Sequence, residues 1–196
     1  THGHPTGYLS AGFLAELIYR LRIGDDLNHA IQTTIAILEG YEDHYETLWA
    51  VYKALNIADG YDSSPEMVEQ LGAGWIAEEA LAISLYCALK ADNFRDGVLL
   101  AVNHSGDSDS TGANAGNILG LIHGVDGIPG DWIADLEVKD IIDEMAEDAS
   151  AVLDLPSEET VDDIGSNVIN SSCPRSFITT STSPKLLADS SLAFVS

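Results

Sequence analysis

Apolar side chains recur at intervals of three and four residues between residues 8 and 153 of this 196-residue chain. The first such stripe runs from Leu14 to Leu21, and the last runs from Ile141 to Val152. This spacing places apolar side chains on one face of a helix. The alternation of apolar and polar residues that marks a half-buried strand is not sustained anywhere. The pattern therefore predicts an all-α body with minimal β content.

Polar residues and proline mark where several of these helices should begin. The Asp25-Asp26 pair is interpreted as a helix cap, because a carboxylate oxygen can accept from the free N–H groups of a first turn. Ser64 followed by Pro65 predicts another start, since proline fits the first turn, where its missing N–H is not needed. Asp92 is the predicted cap of the helix that follows it.

The charge of the chain limits its partners. The sequence has 8 Lys and Arg against 32 Asp and Glu, so 8 minus 32 gives a formal charge of -24. Nucleic acids and anionic membrane surfaces are bound by clustered basic residues, so neither is expected as a partner. No apolar run reaches the roughly 18 residues of a membrane-spanning helix. A phosphate-bearing ligand would need backbone N–H groups or a divalent cation to balance its charge.

The cysteines and the C-terminal composition predict the location and the domain organisation. Cys87 and Cys173 are too few for a disulfide framework, and Cys87 lies in an apolar helical pattern, so we expect a buried thiol in a reducing cytoplasm. Residues 156–196 are rich in Ser and Thr and show no period. We therefore predict one domain over residues 1–155 and a flexible tail over residues 156–196.

One polar stretch, from Asn103 to Gly112, interrupts the helical pattern. Asp107 and Asp109 stand one residue apart there, Ser110 follows them, and Gly106 precedes them. Carboxylates and hydroxyls are hard oxygen donors that suit Mg²⁺, Mn²⁺ or Ca²⁺. Asp and Ser are also ordinary capping residues. Two interpretations therefore stay open at this point: a cation site, or Asp109 or Ser110 acting only as the cap of the next helix.

Two other aspartate loops fit less well. An EF-hand loop needs a side-chain oxygen at its twelfth position, which here is Ile118. The loop of haloacid-dehalogenase-type phosphatases should directly follow a buried strand, but His104, Ser105 and Gly106 intervene and the chain shows no β/α alternation. A Ca²⁺-binding or phosphatase-type loop on an unrelated helical domain is the least favoured hypothesis. The flanking His104 and His123 are interpreted as surface residues or as residues behind the site.

Four glycines spaced four apart follow the aspartate loop: Gly112, Gly116, Gly120 and Gly124. Each glycine inside a helix costs about 1 kcal/mol relative to alanine, so a full stripe suggests a packing reason. Residues four apart share one face of a helix. The stripe predicts a close approach by a second helix and a central, buried position for this one.

Three segments in this order resemble the ADP-ribosylglycohydrolases, a family that includes the dinitrogenase reductase-activating glycohydrolase and the ADP-ribosyl-arginine and ADP-ribosyl-serine hydrolases. They are Thr1–Pro5, Leu71–Leu81 and Asn103–Gly120. The resemblance implies a compact orthogonal all-α fold, and a centre of two Mg²⁺ ions, with Mn²⁺ as a substitute, that holds the ribose hydroxyls of ADP-ribose. By position, the metal ligands would be Asp107, Asp109 and Ser110, and the substrate-binding residues would be His2, Gly74 and Trp75.

The resemblance covers only the C-terminal half of the family. The Gly-Asp-x-x-Gly segment, the Thr-Asp-Asp motif, an acidic catalytic residue and a Gly-rich diphosphate loop do not appear, so no catalytic residue is assigned. The chain is expected to be a fragment or a natural truncation that lacks part of each metal site. The function implied is hydrolysis of the glycosidic bond of an ADP-ribosylated protein or an ADP-ribose derivative. The alternative is a non-catalytic, crystallin-like relative that acts as a structural or ligand-binding protein.

Overall fold

The computed structural model describes residues 3–60 and 63–153 of the chain. No strand occurs among these residues, which confirms the predicted all-α fold class. The chain divides into two compact units, Thr1–Lys139 and Asp140–Ser196. The predicted tail lies outside the described residues, and the domain boundary at residue 155 stays a prediction.

Nine α-helices and a short 3₁₀ helix lie within the described residues. In chain order they are α1 (Pro5–Arg22), α2 (Leu27–Leu38), α3 (Tyr45–Ala58), α4 (Pro65–Glu69), α5 (Ala77–Lys90), α6 (Phe94–Val102), α7 (Ser108–His123), the 3₁₀ helix (Val125–Gly127), α8 (Gly130–Ala134) and α9 (Lys139–Leu153). None of the helices in the described part of the chain has both the length and the apolar content needed to span a membrane.

Most of the predicted helix starts are confirmed. Asp26 is the N-cap of α2, and its carboxylate accepts a hydrogen bond from the His29 N–H at 3.0 Å. Ser64 and Pro65 begin α4. The prediction for α6 was wrong by one residue: the cap is Asn93, whose side-chain oxygen accepts from the Asp96 N–H at 2.9 Å. The extended backbone of Asn93 places its side chain over the first turn, as capping requires.

Helix α5 forms the centre of the first unit. Every residue from Ala80 to Ala88 is buried, and the helix packs against α1, α3, α4, α6 and α7. A helix that is buried all round belongs in a core rather than at a surface. Cys87 is fully buried there, which confirms the predicted buried thiol, and burial raises its pKa to about 12. The neighbouring helices are therefore positioned by their packing against α5.

The glycine stripe on α7 allows only part of the close helix packing that its spacing predicted. A side chain on Gly112 would approach Cγ1 of Val102 at 2.6 Å, so α6 is close at that point. A side chain on Gly116 would meet nothing within 4 Å, and Gly124 ends the helix with a φ of 68°. The closest approach instead occurs at Gly97 of α6. The predicted central position of α7 is confirmed in part: the helix packs against α1, α5 and α6, but its glycine face is not closely packed along its whole length.

Two glycine-to-alanine substitutions should have opposite effects on stability. Gly116→Ala should raise the free energy of unfolding by about 0.5–1 kcal/mol, because open space faces it and alanine is the better helix former. Gly97→Ala should lower it by about 1–3 kcal/mol, because the new methyl would overlap Leu119 and lie 2.8 Å from Cβ of Ala91. Urea unfolding measures the free energy of unfolding of both variants. Equal changes in the two variants would contradict this account of the α6–α7 contact.

Candidate functional site

The aspartate loop leads directly into α7. Asp107 is the N-cap residue of this helix and makes no side-chain capping hydrogen bond, while Asp109 and Ser110 lie in its first turn. The interpretation of Asp109 or Ser110 as the cap was therefore wrong. The cap position at the start of α7 therefore belongs to Asp107, one residue before the first turn.

The glycine-containing loop before α5 is held by a carboxylate from that helix. Gly72 and Gly74 have φ angles of 127° and 79°, which L side chains rarely adopt. The Glu79 carboxylate accepts hydrogen bonds from the N–H groups of Ala73 at 3.0 Å and of Gly74 at 3.1 Å. A side chain on Gly72 would overlap Glu79, so the loop closes tightly around this carboxylate.

The two loops join by direct backbone contact. The Asp107 N–H donates to the carbonyl of Ala73 at 2.7 Å. A Cβ atom on Gly106 would overlap that carbonyl, so glycine is required at this position. A Cβ atom on Gly74 would lie 2.9 Å from Cγ2 of Thr111. Residues that are more than 30 positions apart in sequence are thus brought into one structure.

His104 supports the aspartate loop from behind. Its side chain is 9% exposed, and Nδ1 accepts a hydrogen bond from the Gly106 N–H at 3.0 Å. The proton of a neutral ring then lies on Nε2, which donates to Oγ1 of Thr111 at 3.0 Å. Thr111 in turn donates to the carbonyl of Ala101 at 2.7 Å. The imidazole therefore connects the loop to the start of α7 and the end of α6.

The joined loops border a cavity of about 490 Å³. This volume is in the range of small-molecule binding sites. Its polar lining comes from Asp107, Ser110 and Asn114 of the aspartate loop and α7, together with Ser10 of α1. Gly74 and Trp75 form another part of the wall. Trp75 is 72% exposed, so it is not a core aromatic residue and its indole is available to a ligand.

The Asp107 carboxyl has a pKa below its usual range. The main cause is hydrogen bonding by the Asp109 side chain, and the Ser110 side chain adds to it. Carboxylate and hydroxyl oxygens that lie close together are hard donors for a divalent cation. Among the described residues, no group of three or more His, Cys, Asp or Glu side chains is placed to hold a metal ion. The two aspartates therefore offer an incomplete set of ligands.

Of the six site residues predicted from the sequence, the structure brings four to one cavity: Gly74, Trp75, Asp107 and Ser110. Asp109 is exposed beside Asp107 and does not line the cavity. His2 lies outside the described residues. The roles of these residues as metal ligands or substrate contacts stay predictions.

Sequence analysis missed the residues that hold the site together. Glu79 received no role from the sequence, although an acidic side chain at the third position of a helix often reaches back to free N–H groups. That signal was available. The burial of His104 and the exposure of Trp75 depend on tertiary packing, and no local pattern indicates either.

The comparisons with known proteins identify one family. The family model described as ADP-ribosylglycohydrolase matches residues 1–159. The ADP-ribosylarginine hydrolase Tri1 of Pseudomonas putida (strain GB-1) is 27% identical over 110 residues, which cover 54% of this chain and 30% of that protein. The ADP-ribosyl-[dinitrogen reductase] glycohydrolase of Rhodospirillum rubrum is 26% identical over 140 residues, covering 71% of this chain and 40% of that protein.

The name of a third relative also denotes an ADP-ribosylarginine hydrolase. The ADP-ribosylarginine hydrolase Tri1 of Serratia proteamaculans (strain 568) is 26% identical over 147 residues, covering 75% of this chain and 37% of that protein. The chain thus spans between 30% and 40% of the length of these relatives. No solved structure matches the chain significantly.

Substitution of Gly106 should separate the two loops. Gly106→Ala places a methyl group against the Ala73 carbonyl and breaks the hydrogen bond from the Asp107 N–H. We expect a loss of about 1–3 kcal/mol in the free energy of unfolding, because backbone cannot move aside as a side chain can. Thermal unfolding measures the loss, with Gly3→Ala, where a Cβ meets nothing within 4 Å, as the control. Equal stability of the two variants would argue against the direct contact.

Removal of the Glu79 carboxylate should loosen the glycine-containing loop. Glu79→Ala loses the hydrogen bonds to Ala73 and Gly74, so we expect a cost of about 2 kcal/mol or more. The adjacent Glu78→Ala is the matched control, because Oε2 of Glu78 is buried without a hydrogen-bond partner among the described residues. Denaturant unfolding of the two variants should show the larger loss for Glu79. A larger loss for Glu78 would contradict the role given to Glu79.

Proposed function

This chain belongs to the ADP-ribosylglycohydrolase family, and we propose that it forms the part of a glycosidic-bond hydrolase that holds the ribose of ADP-ribose. The observation that carries the proposal is the cavity where Asp107, Ser110, Gly74 and Trp75 meet. Two of the three family-like segments border this one cavity. Activity of the whole protein is proposed on the same basis, because the chain spans at most 40% of the relatives it matches.

We propose Asp107, Asp109 and Ser110 as ligands of Mg²⁺, with Mn²⁺ as a substitute. Their oxygen atoms are the hard donors that these ions prefer, and the two aspartate side chains already lie within hydrogen-bonding reach of each other. A bound ion would orient neighbouring ribose hydroxyls and position the attacking water. The remaining ligands would come from water, from the substrate or from residues outside the described part of the chain.

The protein's own residues would orient the substrate and stabilise the charge that develops during the reaction. Cleavage at an anomeric carbon passes through an oxocarbenium-like state, which carries positive charge on the sugar. The carboxylate of Asp107 faces the cavity and would favour that charge. The exposed indole of Trp75 offers an apolar surface at the same wall. Glu79 and His104 would keep both walls in place through their backbone hydrogen bonds.

For the substrate we propose an ADP-ribosylated arginine side chain of a protein. The names of two relatives state ADP-ribosylarginine as what those proteins hydrolyse, and the third name states ADP-ribosyl-dinitrogen reductase. All three names denote hydrolases, so the comparisons give no support to a non-catalytic, crystallin-like role. A cytoplasmic location remains a proposal from the cysteine content.

Calorimetric titration with Mg²⁺ and Mn²⁺, with and without ADP-ribose, tests this function. We expect micromolar metal binding that ADP-ribose strengthens, and we expect the Asp107→Ala/Asp109→Ala double variant to lose it. The control is Asp135→Ala/Glu137→Ala, which removes the same two charges from exposed positions outside the cavity. Loss of binding in both variants would show a general effect of charge. A folded wild-type chain that binds neither metal nor ADP-ribose would contradict the proposed site in this chain.

A further inference from the structure

A second cavity, the α3 cavity, has a volume of about 620 Å³ and lies between α3 and the start of α5. Its wall is formed by side chains of α3, by the segment from Glu69 to Gly72 and by residues at the start of α5. Within the described part of the chain, Ile76 alone lines both this cavity and that of the candidate site, so the two cavities adjoin there. The proposed metal ligands do not line the α3 cavity, so its function depends on other residues.

Two large aromatic side chains are exposed in the α3 cavity. Tyr45 and Trp49 are 74% and 66% exposed, and their spacing of four residues places them on one face of α3. Ile76, which is 51% exposed, adds apolar surface from the residue before α5. Exposed apolar surface that is rimmed by polar residues is typical of a binding site. The aromatic rings provide flat surfaces on which a planar group can stack.

The α3 cavity carries an excess of negative charge. Its carboxylates belong to Glu46, Glu69, Glu78 and Glu79, and the basic residue in its described lining is Lys53. Glu79 is engaged by the N–H groups of the glycine-containing loop. Without Glu79, three carboxylates still stand against one ammonium group. The cavity therefore favours a cation over an anion.

Trp49 already contacts a cation within the folded chain. Nζ of Lys53, one turn further along α3, lies 5.2 Å from the centre of the Trp49 ring. This distance is within the range of cation–π attraction. Because the Trp49 side chain is 66% exposed, Lys53 leaves much of it uncovered. A second cation can therefore approach the open part of the ring.

Among cationic side chains, arginine fits this combination of aromatic rings and carboxylates best. Its guanidinium group is planar, stacks on aromatic faces and binds carboxylates through pairs of N–H groups. The ammonium group of lysine is compact and strongly hydrated, so it gains less from a flat ring. The volume of about 620 Å³ is in the range of ligand pockets, so an arginine side chain and its adjoining backbone can enter.

We propose that the α3 cavity binds an arginine side chain of a polypeptide partner, with the guanidinium group stacked on the exposed aromatic rings and held by the carboxylates of Glu46 and Glu69. This inference goes beyond the proposed function, because the binding requires neither a metal ion nor ADP-ribose. Under the proposed function it has a consequence for the substrate. A protein whose modified side chain enters the first cavity could place a second, unmodified arginine in the α3 cavity, since the two adjoin at Ile76.

Calorimetric titration of the full chain with short peptides, without metal and without ADP-ribose, tests the proposal. The probe is acetyl-Gly-Arg-Gly-Arg-Gly-amide, and the comparison peptides replace both arginines by lysine or by citrulline, the uncharged analogue of arginine. We expect the arginine peptide to bind about fivefold more tightly than the lysine peptide and the citrulline peptide to bind more weakly than either. Equal binding of the three peptides, equal binding of the arginine and lysine peptides, or no binding of the arginine peptide would overturn the proposal.

Substitution of an aromatic residue locates the bound peptide. Trp49→Ala should weaken the arginine peptide about tenfold, because the stacking surface is lost. The matched control is Tyr19→Ala, which removes an exposed aromatic ring of α1 outside the cavity and should leave the affinity unchanged. Both side chains are more than half exposed, so we expect both variants to fold, and circular dichroism checks this. Unchanged affinity in Trp49→Ala, or an equal loss in both variants, would contradict binding in the α3 cavity.

A pair of double variants separates a specific site from attraction by the whole acidic chain. Glu46→Gln/Glu69→Gln removes two charges from the cavity and should weaken the arginine peptide about fivefold. Asp135→Asn/Glu137→Gln removes the same number of charges from exposed positions outside the cavity and should have little effect. A similar loss in both double variants would show a general effect of the net charge of -24 and overturn the proposal.

The oligomeric state tests whether a second copy of the chain covers the α3 cavity instead. Light scattering should give the same mass for the wild type and for Trp49→Ala. A wild-type dimer that Trp49→Ala separates into monomers would assign the cavity to a second copy and overturn binding of a partner's arginine. The titrations with peptides use neither Mg²⁺ nor ADP-ribose, so their failure leaves the proposed function standing. Failure of the metal titration likewise leaves the arginine site standing.

Discussion

The Glu79 carboxylate and the backbone it holds determine the geometry of the candidate site. Two consecutive N–H groups, those of Ala73 and Gly74, point to one carboxylate that is fixed in the first turn of α5. The loop conformation leaves the Ala73 carbonyl facing the other way, towards Asp107. Since the helix that carries Glu79 is the most buried element of the unit, the position of the loop follows from the core.

The two loops are therefore joined through backbone groups, which the side chains of Glu79 and His104 hold in place. The aspartate loop is fixed by the N–H of Asp107, by glycine at position 106 and by the imidazole of His104.

Much of the fold could be predicted from the sequence, because the residues that define a helix lie close together along the chain. The apolar stripes and the caps at Asp26 and Ser64 need only a few neighbouring residues to be recognised. The candidate ligands were also visible, since Asp107 and Asp109 break the helical pattern. Of the supports, Glu79 had a local signal at the third position of α5, whereas the partners of His104 are chosen by tertiary packing.

The tight contact between Gly106 and Ala73 has a consequence for motion. Because no side chain separates the two backbones, they touch at Gly106 and Ala73, where the Asp107–Ala73 hydrogen bond joins them. Separation of the two loops therefore requires that the Asp107–Ala73 bond breaks. Amide hydrogen exchange at Asp107 reports this event directly, because that N–H exchanges with solvent only while the bond is broken.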